Sequence, residues 1–250
     1  MSLKITIITA CYNNEKSIED TLKSVAEQTY NNIEHIVIDG ASTDNTINII
    51  NKYKIGNTII VSEPDLGMYY AVNKGLKMAT GDIIGLLHSD DKLYSSNTLS
   101  DIVNEFKNDN NIGLLFANGL FVEVNDTTKI VRNWISKEFK RWKIYFGWVP
   151  LHTTMYFSSK ALKQLGYYKT EYRIASDYEY TLRALTNKTI NKKYLNSYVV
   201  RMKMGGASTS FKNQYKKSKE DFLIMREYKL FAVFVLSFKI LRKIPQFIFK

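Results

Sequence analysis

The first hundred residues alternate between short apolar runs and segments whose apolar residues recur at helical spacing. Apolar runs at 5–10, 33–38, 58–61 and 83–87 are typical of buried strands. Helical patterns follow the first three runs, and the clearest places Met68, Ala71, Val72, Gly75, Leu76 and Ala79 on one face. Strands that alternate with helices predict an α/β fold with a mostly parallel central sheet flanked by helices.

The second half of the chain has a less regular pattern. It predicts helices over 99–106, from about 160 to 165 and near 177, strands over 112–116 and 198–204, and a hairpin or loop over 121–135. From Phe211 onward the pattern is helical. We therefore expect one compact unit over 1–210, divided near residue 117, and a helical tail over 211–250.

Polar residues follow each of the strands predicted in the first half. They are Tyr12, Asn13 and Asn14 after the first strand, Asp39 after the second, Glu63 and Asp65 after the third, and Asp90 and Asp91 after the fourth. Ligands of open parallel sheets bind beyond the carboxyl ends of the strands. We therefore expect these side chains to share one cleft.

Asp90 and Asp91 are adjacent carboxylates that follow a buried strand. They would repel each other unless a cation neutralises them, and carboxylate oxygens suit hard divalent metals. Alternatively, the pair caps a helix in a solvated turn, because Asp is a good helix cap. The dipeptide alone leaves both interpretations open.

Charge and composition narrow the choice of partners and compartment. The formal net charge of +11 favours anionic partners such as nucleoside diphosphates, anionic lipid or nucleic acid. The single cysteine, Cys11, excludes an internal disulfide, and we expect it to be a small buried side chain at a strand end. No signal-peptide pattern precedes the first strand, so we expect a cytoplasmic protein. The apolar run at 230–238 is shorter than the roughly 20 residues that a spanning helix needs.

Eight motifs occur along the chain in a recognisable order. They are residues 7–13 (IITACYN), 39–46 (DGASTDNT), 62–69 (SEPDLGMY) with 73–75 (NKG), 79–84 (ATGDII), 88–91 (HSDD), 152–155 (HTTM), 175–179 (ASDYE) and 205–208 (GGAS). Together they resemble the family 2 glycosyltransferases, in the branch common among bacterial enzymes of O-antigen and capsule assembly. The resemblance covers about residues 3–210. It implies the Rossmann-like nucleotide-diphospho-sugar transferase fold and a hexosyltransferase that uses a nucleotide-sugar donor, with UDP as the expected nucleotide.

The resemblance assigns donor binding to about residues 1–117 and the acceptor side to 118–210. It implies that Tyr12 stacks on the nucleobase, that Asp39 hydrogen-bonds the ring edge, and that Lys74 offers charge to the diphosphate. The expected donor-binding set is completed by Ala10, Asp65 and Asp90. Each assignment has a structural alternative, which is a packing ring for Tyr12, an Asp-Gly turn for Asp39 and a solvated lysine for Lys74.

The same resemblance implies a divalent metal, Mn²⁺ or Mg²⁺. Asp90 would ligate the ion that bridges the two phosphates, and Asp91 would support the metal or the sugar. The family motif is commonly Asp-x-Asp, whereas His88 holds the leading position here and either contacts the ribose or fills the strand end. Tyr70 is a second departure, because related sequences often carry Asp there, and the donor sugar stays open.

Asp177 is the expected general base, since the attacking hydroxyl must lose a proton and a carboxylate within reach can accept it. The alternative is that Asp177 only caps its helix. His152 is expected on the acceptor side, lining the acceptor site or donating to a phosphate, with a structural histidine as the alternative. A single in-line displacement would invert the anomeric centre.

The tail combines basic residues with aromatic and aliphatic ones. We expect it to lie peripherally on the cytoplasmic face of the inner membrane, which would make a polyprenyl-diphosphate-linked saccharide the natural acceptor. The alternative is a terminal helix packed on the core.

Two rival functions are a sugar nucleotidyltransferase and a non-catalytic binding protein. The first lacks a Gly-rich phosphate loop, and no RNA-binding signature accompanies the charge, so we expect no nucleic-acid partner.

Overall fold

The structure is a computed structural model that describes residues 2–56, 58–124, 126–204 and 211–242, without the side chains of 211–213. Its strands are β1 (Ile5–Cys11), β2 (Ile33–Asp39), β3 (Thr58–Ser62), β4 (Ile83–Leu86), β5 (Asp91–Leu93), β6 (Ile112–Val122), β7 (Ile130–Trp134), β8 (Tyr156–Ser158) and β9 (Asn191–Lys203). Its helices are α1 (Ile18–Ala26), α2 (Thr46–Tyr53), α3 (Met68–Met78), α4 (Thr98–Asn108), α5 (Ser159–Leu165), α6 (Ser176–Thr186), α7 (Phe211–Glu227) and α8 (Ala232–Leu241). Two 3₁₀ helices span Arg141–Phe146 and His152–Thr154.

The strands form one sheet in the order β3-β2-β1-β4-β8-β6-β9-β5, and β7 pairs with β6 outside this path. Strands β3, β2, β1 and β4 are parallel to one another. Strand β8 runs antiparallel to both β4 and β6, and β6 is parallel to β9. The expectation of an α/β fold with a mostly parallel sheet is therefore confirmed.

Helices cover both faces of the parallel part because its strands are apolar on both faces. Ile36 and Ile38 of β2 pack with Ala71 of α3 on one side. Val37, the residue between them, packs with Ile50 of α2 on the other side. This arrangement explains why these strands read as continuous apolar runs rather than as alternating patterns.

The connection from β4 to β8 depends on a glycine. A Cβ atom at Gly85 would lie 2.4 Å from the ring of Tyr156, which is fully buried across the β4–β8 pair. The ring occupies the space that any larger residue at position 85 would need. This contact joins the parallel part of the sheet to the strands that carry the second half of the chain.

Several expectations about the second half need correction. Strands β5 and β8 are three residues long and were not predicted, and β6 and β9 are longer than expected. The hairpin expected over 121–135 is present as the β6–β7 pair. Short strands of this kind form through pairing with distant partners, and their own residues give little periodicity.

The described part of the tail is two helices, and it packs on the domain. Ile224 and Met225 of α7 and Val235 of α8 are buried in the core cluster that also holds Leu182 of α6. Other apolar side chains of α8 are exposed, so this part of the tail has one packed and one open face. Within the described ranges, no helix is long and apolar enough to cross a bilayer. The motif at 205–208 and residues 243–250 lie outside the described residues.

Candidate active site

The loops that follow β1, β2 and β3 close around Asp39, whose side chain is fully buried. Its carboxylate accepts hydrogen bonds from the hydroxyl and backbone N–H of Ser42 and, at 2.6 Å, from the hydroxyl of Ser62. The thiol of Cys11 also donates to it, at 3.7 Å. Because the protein already occupies both oxygens, a nucleobase can bind this carboxylate only by displacing a donor from one of them.

Tyr12 lies at the open side of this loop cluster. Its side chain is 61% exposed, and its ring covers Gly40, where an added Cβ would lie 3.3 Å from the ring. An exposed ring beside a buried carboxylate can stack on a planar ligand. Ala10 of β1 is partly buried. Cys11, the last residue of β1, is buried, as expected. Burial, followed by the charge of Asp39, raises the pKa of the Cys11 thiol.

Lys74 of α3 is held by two carboxylates of the loop after β3. Its ammonium lies 2.6 Å from Glu63 and 2.7 Å from Asp65. The hydrogen bond to Asp65, followed by the one to Glu63, raises the pKa of Lys74, so this lysine stays charged. The side chain of Asp65 is nearly buried, whereas that of Glu63 is half exposed. A phosphate at this position would have to compete with these carboxylates.

The loop after β4 joins the same cluster, because Asn14 donates a hydrogen bond to the hydroxyl of Ser89. Asp90 is partly exposed, whereas Asp91 is 1% exposed and begins β5. Burial, followed by the charge of Asp90, raises the pKa of Asp91 well above its usual range. One oxygen of Asp91 has no hydrogen-bond partner among the described residues. The two carboxylates are thus adjacent, and burial outweighs the charge of nearby Lys203 at Asp91.

His88, His152 and Asp177 form a continuous chain of polar contacts. The Nε2 atoms of the two imidazoles are 2.7 Å apart, and Nδ1 of His152 is 3.4 Å from a carboxylate oxygen of Asp177. Burial lowers the pKa of His88, and it lowers the pKa of His152 to about 4. Both rings are therefore neutral at pH 7. An ionised carboxylate only accepts, so a proton on Nδ1 of His152 would suit the contact with Asp177 and would leave Nε2 to accept from His88.

Asp177 lies at the start of α6 and is ionised at neutral pH. Burial raises the pKa of its carboxyl group, but the charges of Lys217 and Lys239 and the Tyr178 N–H oppose burial, and the pKa lies below its usual value. The Tyr178 N–H donates to it at 2.8 Å. The opposite end of the contact chain, His88, also lies within the electrostatic range of Asp90. The pair Asp90 and Asp177 therefore flanks the two histidines.

Two residues of α3 position the start of α6. The hydroxyl of Tyr69 donates to the carbonyl of Ile174 at 3.1 Å and accepts from the Asp177 N–H at 3.3 Å. The amide side chain of Asn73 bonds both backbone groups of Tyr168 at 2.9 Å. Both residues lie in motifs noted in the sequence, but their roles there had no assignment.

Helices α7 and α8 also support α6, the helix that bears Asp177, and sequence patterns did not indicate these contacts. The carboxylate of Glu220 accepts from the backbone N–H groups of Ile174 and Ala175 at 2.9 and 2.8 Å. Lys239 pairs with Asp221 at 2.7 Å. No local sequence pattern points to Glu220. Lys239 could have been singled out, because it is a lone lysine in the apolar sequence of α8.

The fold and the loop cluster define a class of protein, an α/β enzyme with polar groups gathered at the carboxyl ends of parallel strands. The sequence model of glycosyl transferase family 2 matches residues 6–166. The chain therefore belongs to glycosyl transferase family 2.

Individual relatives agree with this assignment. An uncharacterized glycosyltransferase of Mycobacterium tuberculosis is 32% identical over 181 residues, which is 72% of this chain and 68% of that protein. Staphylococcus aureus TarS 1–349 has a TM-score of 0.69 at 23% identity, over 90% of this chain and 65% of that structure. The mannosyltransferase PcManGT of Pyrobaculum calidifontis, solved with GDP-Man and Mn²⁺, has a TM-score of 0.67 at 17% identity, over 91% of this chain and 64% of that one. The two structures show the shared fold.

Proposed function

We propose that this glycosyltransferase moves a hexosyl group from a nucleoside-diphosphate sugar, with UDP as the nucleotide, to a hydroxyl of a saccharide acceptor, with inversion. The observation that carries the proposal is the chain from His88 through His152 to Asp177. It sets an ionised carboxylate across from the acidic pair Asp90 and Asp91. A base on one side and a diphosphate site on the other are the two parts that a single displacement needs.

Donor binding is supported by the loops around Asp39 and by the structural neighbours. TarS has also been solved with UDP-GlcNAc, at a TM-score of 0.67, and PcManGT with GDP-Man. Tyr12 provides an exposed ring for stacking, and Asp39 provides a carboxylate behind it. Ala10, Asp65 and Lys74 complete the proposed donor site, with Lys74 exchanging a carboxylate partner for a phosphate oxygen.

The residues present fit a divalent metal that is held jointly by protein carboxylates and substrate phosphates. Among the described residues no group of three ligating side chains is preassembled, so an all-protein cage is absent from that part of the chain. Asp90 is partly exposed beside a buried carboxylate with an unpartnered oxygen, and a cation would relieve both. Mg²⁺ and Mn²⁺ commonly combine one or two carboxylates with substrate phosphates. Asp90 would hold such an ion with support from Asp91, and the ion would neutralise charge on the diphosphate.

Side chains of the proposed acceptor side take up the proton that the attacking hydroxyl loses. Asp177 accepts the proton of the attacking hydroxyl as the new bond forms between that oxygen and the anomeric carbon. The bond from the anomeric carbon to the diphosphate breaks at the same time, and the electron pair leaves on the diphosphate. His152 Nδ1 lies 3.4 Å from Asp177 and would keep the carboxylate oriented, while the contact between His88 and His152 would hold the tautomer of His152.

The acceptor is the least defined part of the proposal. A groove lined by Leu66, Tyr70, Thr170, Glu171 and Arg173 lies between the loop after β3 and the loop before α6. Its exposed ring and charged groups suit a saccharide. We propose a lipid-diphosphate-linked saccharide of O-antigen or capsule type as the acceptor, with the protein peripheral on the cytoplasmic face of the inner membrane.

The test is a screen of UDP-sugars and GDP-mannose, with and without Mn²⁺ or Mg²⁺, against lipid-diphosphate-linked GlcNAc or GalNAc. We expect release of nucleoside diphosphate and a product of inverted anomeric configuration with at least one donor. Incubation with sugar 1-phosphate and nucleoside triphosphate serves as the control. Pyrophosphate release there, with no transfer from any nucleotide sugar, would establish a nucleotidyltransferase instead.

A further inference from the structure

The 3₁₀ helix Arg141–Phe146 and helix α8 place four aromatic rings in continuous contact. The ring of Phe146 lies 5.8 Å from Trp142, 5.8 Å from Phe234 and 5.4 Å from Phe238, and the last two rings are 4.5 Å apart. We refer to these four residues, extended by Phe231 at the start of α8, as the aromatic surface. Two segments about ninety residues apart in the chain thus form one patch.

The aromatic surface is open to solvent. Phe231 is 83% exposed, Trp142 is 57% exposed and Phe234 is 48% exposed. Phe231, Phe234 and Phe238 follow one another at spacings of three and four residues, which places them on one face of α8. Contiguous exposed aromatic groups are uncommon on monomeric proteins, and they mark surfaces that bind something apolar.

Basic residues surround the aromatic surface. Lys137, Lys140, Arg141 and Arg242 are all exposed. Burial lowers the pKa of Lys143, and the charges of Lys140, Arg242 and Lys137 lower it further, against the charge of Glu138. In the sequence beyond residue 242, two more lysines and four more aliphatic or aromatic residues follow. Apolar rings within a basic rim complement anionic lipid headgroups, because the rings enter the headgroup boundary while the cations pair with phosphate.

The adjoining face of α8 contacts the helix that bears the proposed base. The backbone of Lys239 packs against Gly147, and its ammonium lies 3.5 Å above the ring of Tyr178, the residue after the proposed base. Val235, one turn before Lys239, is buried in the core. Helix α8 therefore both carries rings of the aromatic surface and contacts α6.

We propose that the aromatic surface docks on a bilayer that contains anionic lipid. The bilayer contact is formed jointly by the 3₁₀ helix and α8, so the tail alone is insufficient. Docking is independent of the proposed transfer reaction, but it would set the acceptor side of the active site toward a substrate anchored in the same bilayer.

Vesicle flotation of the full chain tests the proposal. The probes are vesicles of phosphatidylcholine alone and of an equimolar mixture of phosphatidylcholine and phosphatidylglycerol. We expect flotation with the mixed vesicles and little with the neutral ones. The double variant Trp142→Ser/Phe234→Ser, with one change in each element, should bind at least about tenfold more weakly. Tyr215→Ser is the matched control, because Tyr215 is a 76% exposed ring on α7 outside the aromatic surface, and it should float like the wild type.

The basic rim has its own pair of variants. Lys140→Gln/Arg141→Gln removes two charges from the rim and should weaken binding to mixed vesicles about thirtyfold. Lys52→Gln/Lys54→Gln removes the same net charge from α2, which packs on β2 and β3 at the other end of the sheet, and should have little effect. Thermal unfolding of each variant checks that the fold is retained.

Two outcomes would overturn the proposal. The first is equal flotation of the wild type and Trp142→Ser/Phe234→Ser. The second is absence of flotation together with a concentration-dependent dimer that the same double variant dissociates, which would make the aromatic surface a contact between two copies. Transfer activity on a detergent-solubilised acceptor is measured in parallel, so that loss of docking is distinguishable from loss of the proposed reaction.

Discussion

Asp39 and Asp177 are both buried carboxylates, but their surroundings differ in kind. Asp39, on the donor side, accepts from Ser42, Ser62 and Cys11, all of which lie in the loops or strand ends beside it. Asp177, on the acceptor side, is held by His152 from another segment and by the charges of Lys217 and Lys239 from the C-terminal helices. The partners of Asp39 thus come from the ends of the neighbouring strands β1 and β3 and from the loop after β2, whereas those of Asp177 include side chains of the C-terminal helices.

The difference in surroundings suits the two carboxylates to different chemical roles. A carboxylate whose oxygens accept from neutral hydroxyl, thiol and amide donors is held in one position, which suits the binding of a ligand. A carboxylate beside a neutral imidazole and two ammonium groups is kept ionised, and its remaining capacity can accept a proton. The predictions that follow test this contrast, from the largest expected effect to the smallest.

Replacing the proposed base should have the largest effect on activity. Asp177→Asn keeps the size of the side chain but removes its basicity, so the transfer rate should fall about 10²- to 10⁴-fold, or about 3–5 kcal/mol. Nucleotide binding, measured by calorimetry, should be unchanged. Asp109→Asn, at the end of α4, is the control. A variant that loses nucleotide affinity as much as rate would place Asp177 in the donor site instead.

Gly147→Ala should release α8 from the domain. Gly147 has φ of 67°, and an added Cβ would lie 2.6 Å from the backbone nitrogen of Lys239. Backbone strain and the clash should together cost about 2–4 kcal/mol in urea unfolding. Gly56→Ala is the control, because Gly56 has no positive φ and nothing lies within 4 Å of an added Cβ. The control should change the stability by less than about 1 kcal/mol, and equal losses would argue against the packing of α8.

The donor side should show a pH dependence through His35, which is buried in β2. Burial lowers the pKa of His35 from 6.5 to about 4 in the folded protein. The folded state therefore favours the neutral ring, so the stabilisation present above the unfolded pKa is lost as pH falls toward the folded one. Between about pH 7 and pH 5, His35→Gln should abolish about 2 kcal/mol of the wild-type loss. Urea unfolding at both pH values measures this, and an unchanged loss would mean that folding does not lower the pKa of His35.

His152→Ala should lower the transfer rate about tenfold, or about 1.4 kcal/mol, with little change in donor KM. The reason is that Asp177 would lose the imidazole that lies 3.4 Å from its carboxylate and is proposed to orient it. His152→Asn places an amide N–H near the position of Nδ1 and should recover part of the rate. Equal rates for the two variants would show that His152 acts only by filling space. Steady-state kinetics under saturating acceptor separates the rate from KM.

The donor half was predictable because its information is local. Apolar runs and helical spacing identified β1 to β4 and α1 to α3 within a few residues, and the carboxyl ends of these strands meet in one loop cluster, as expected. Parallel strands with short connections leave few alternatives for where those ends lie. The partners of Asp39 and Lys74, however, came only from the folded loops.

The acceptor half was less predictable, because its short strands and its positioning contacts form between segments far apart in the chain. Strand β8 has three residues and exists through pairing with β4 and β6. Glu220 accepts from the backbone at 173–175, about fifty residues away, with no local signal.

The sequence alone determined the family and the α/β class and named the candidate site residues, since motifs and periodicity are properties of neighbouring residues. Only the tertiary structure decided that His88, His152 and Asp177 form one chain, and that a 3₁₀ helix and α8 share an aromatic surface. The physical reason is that hydrogen bonds and ring contacts act over a few ångströms, and the fold alone brings such distant residues within that range.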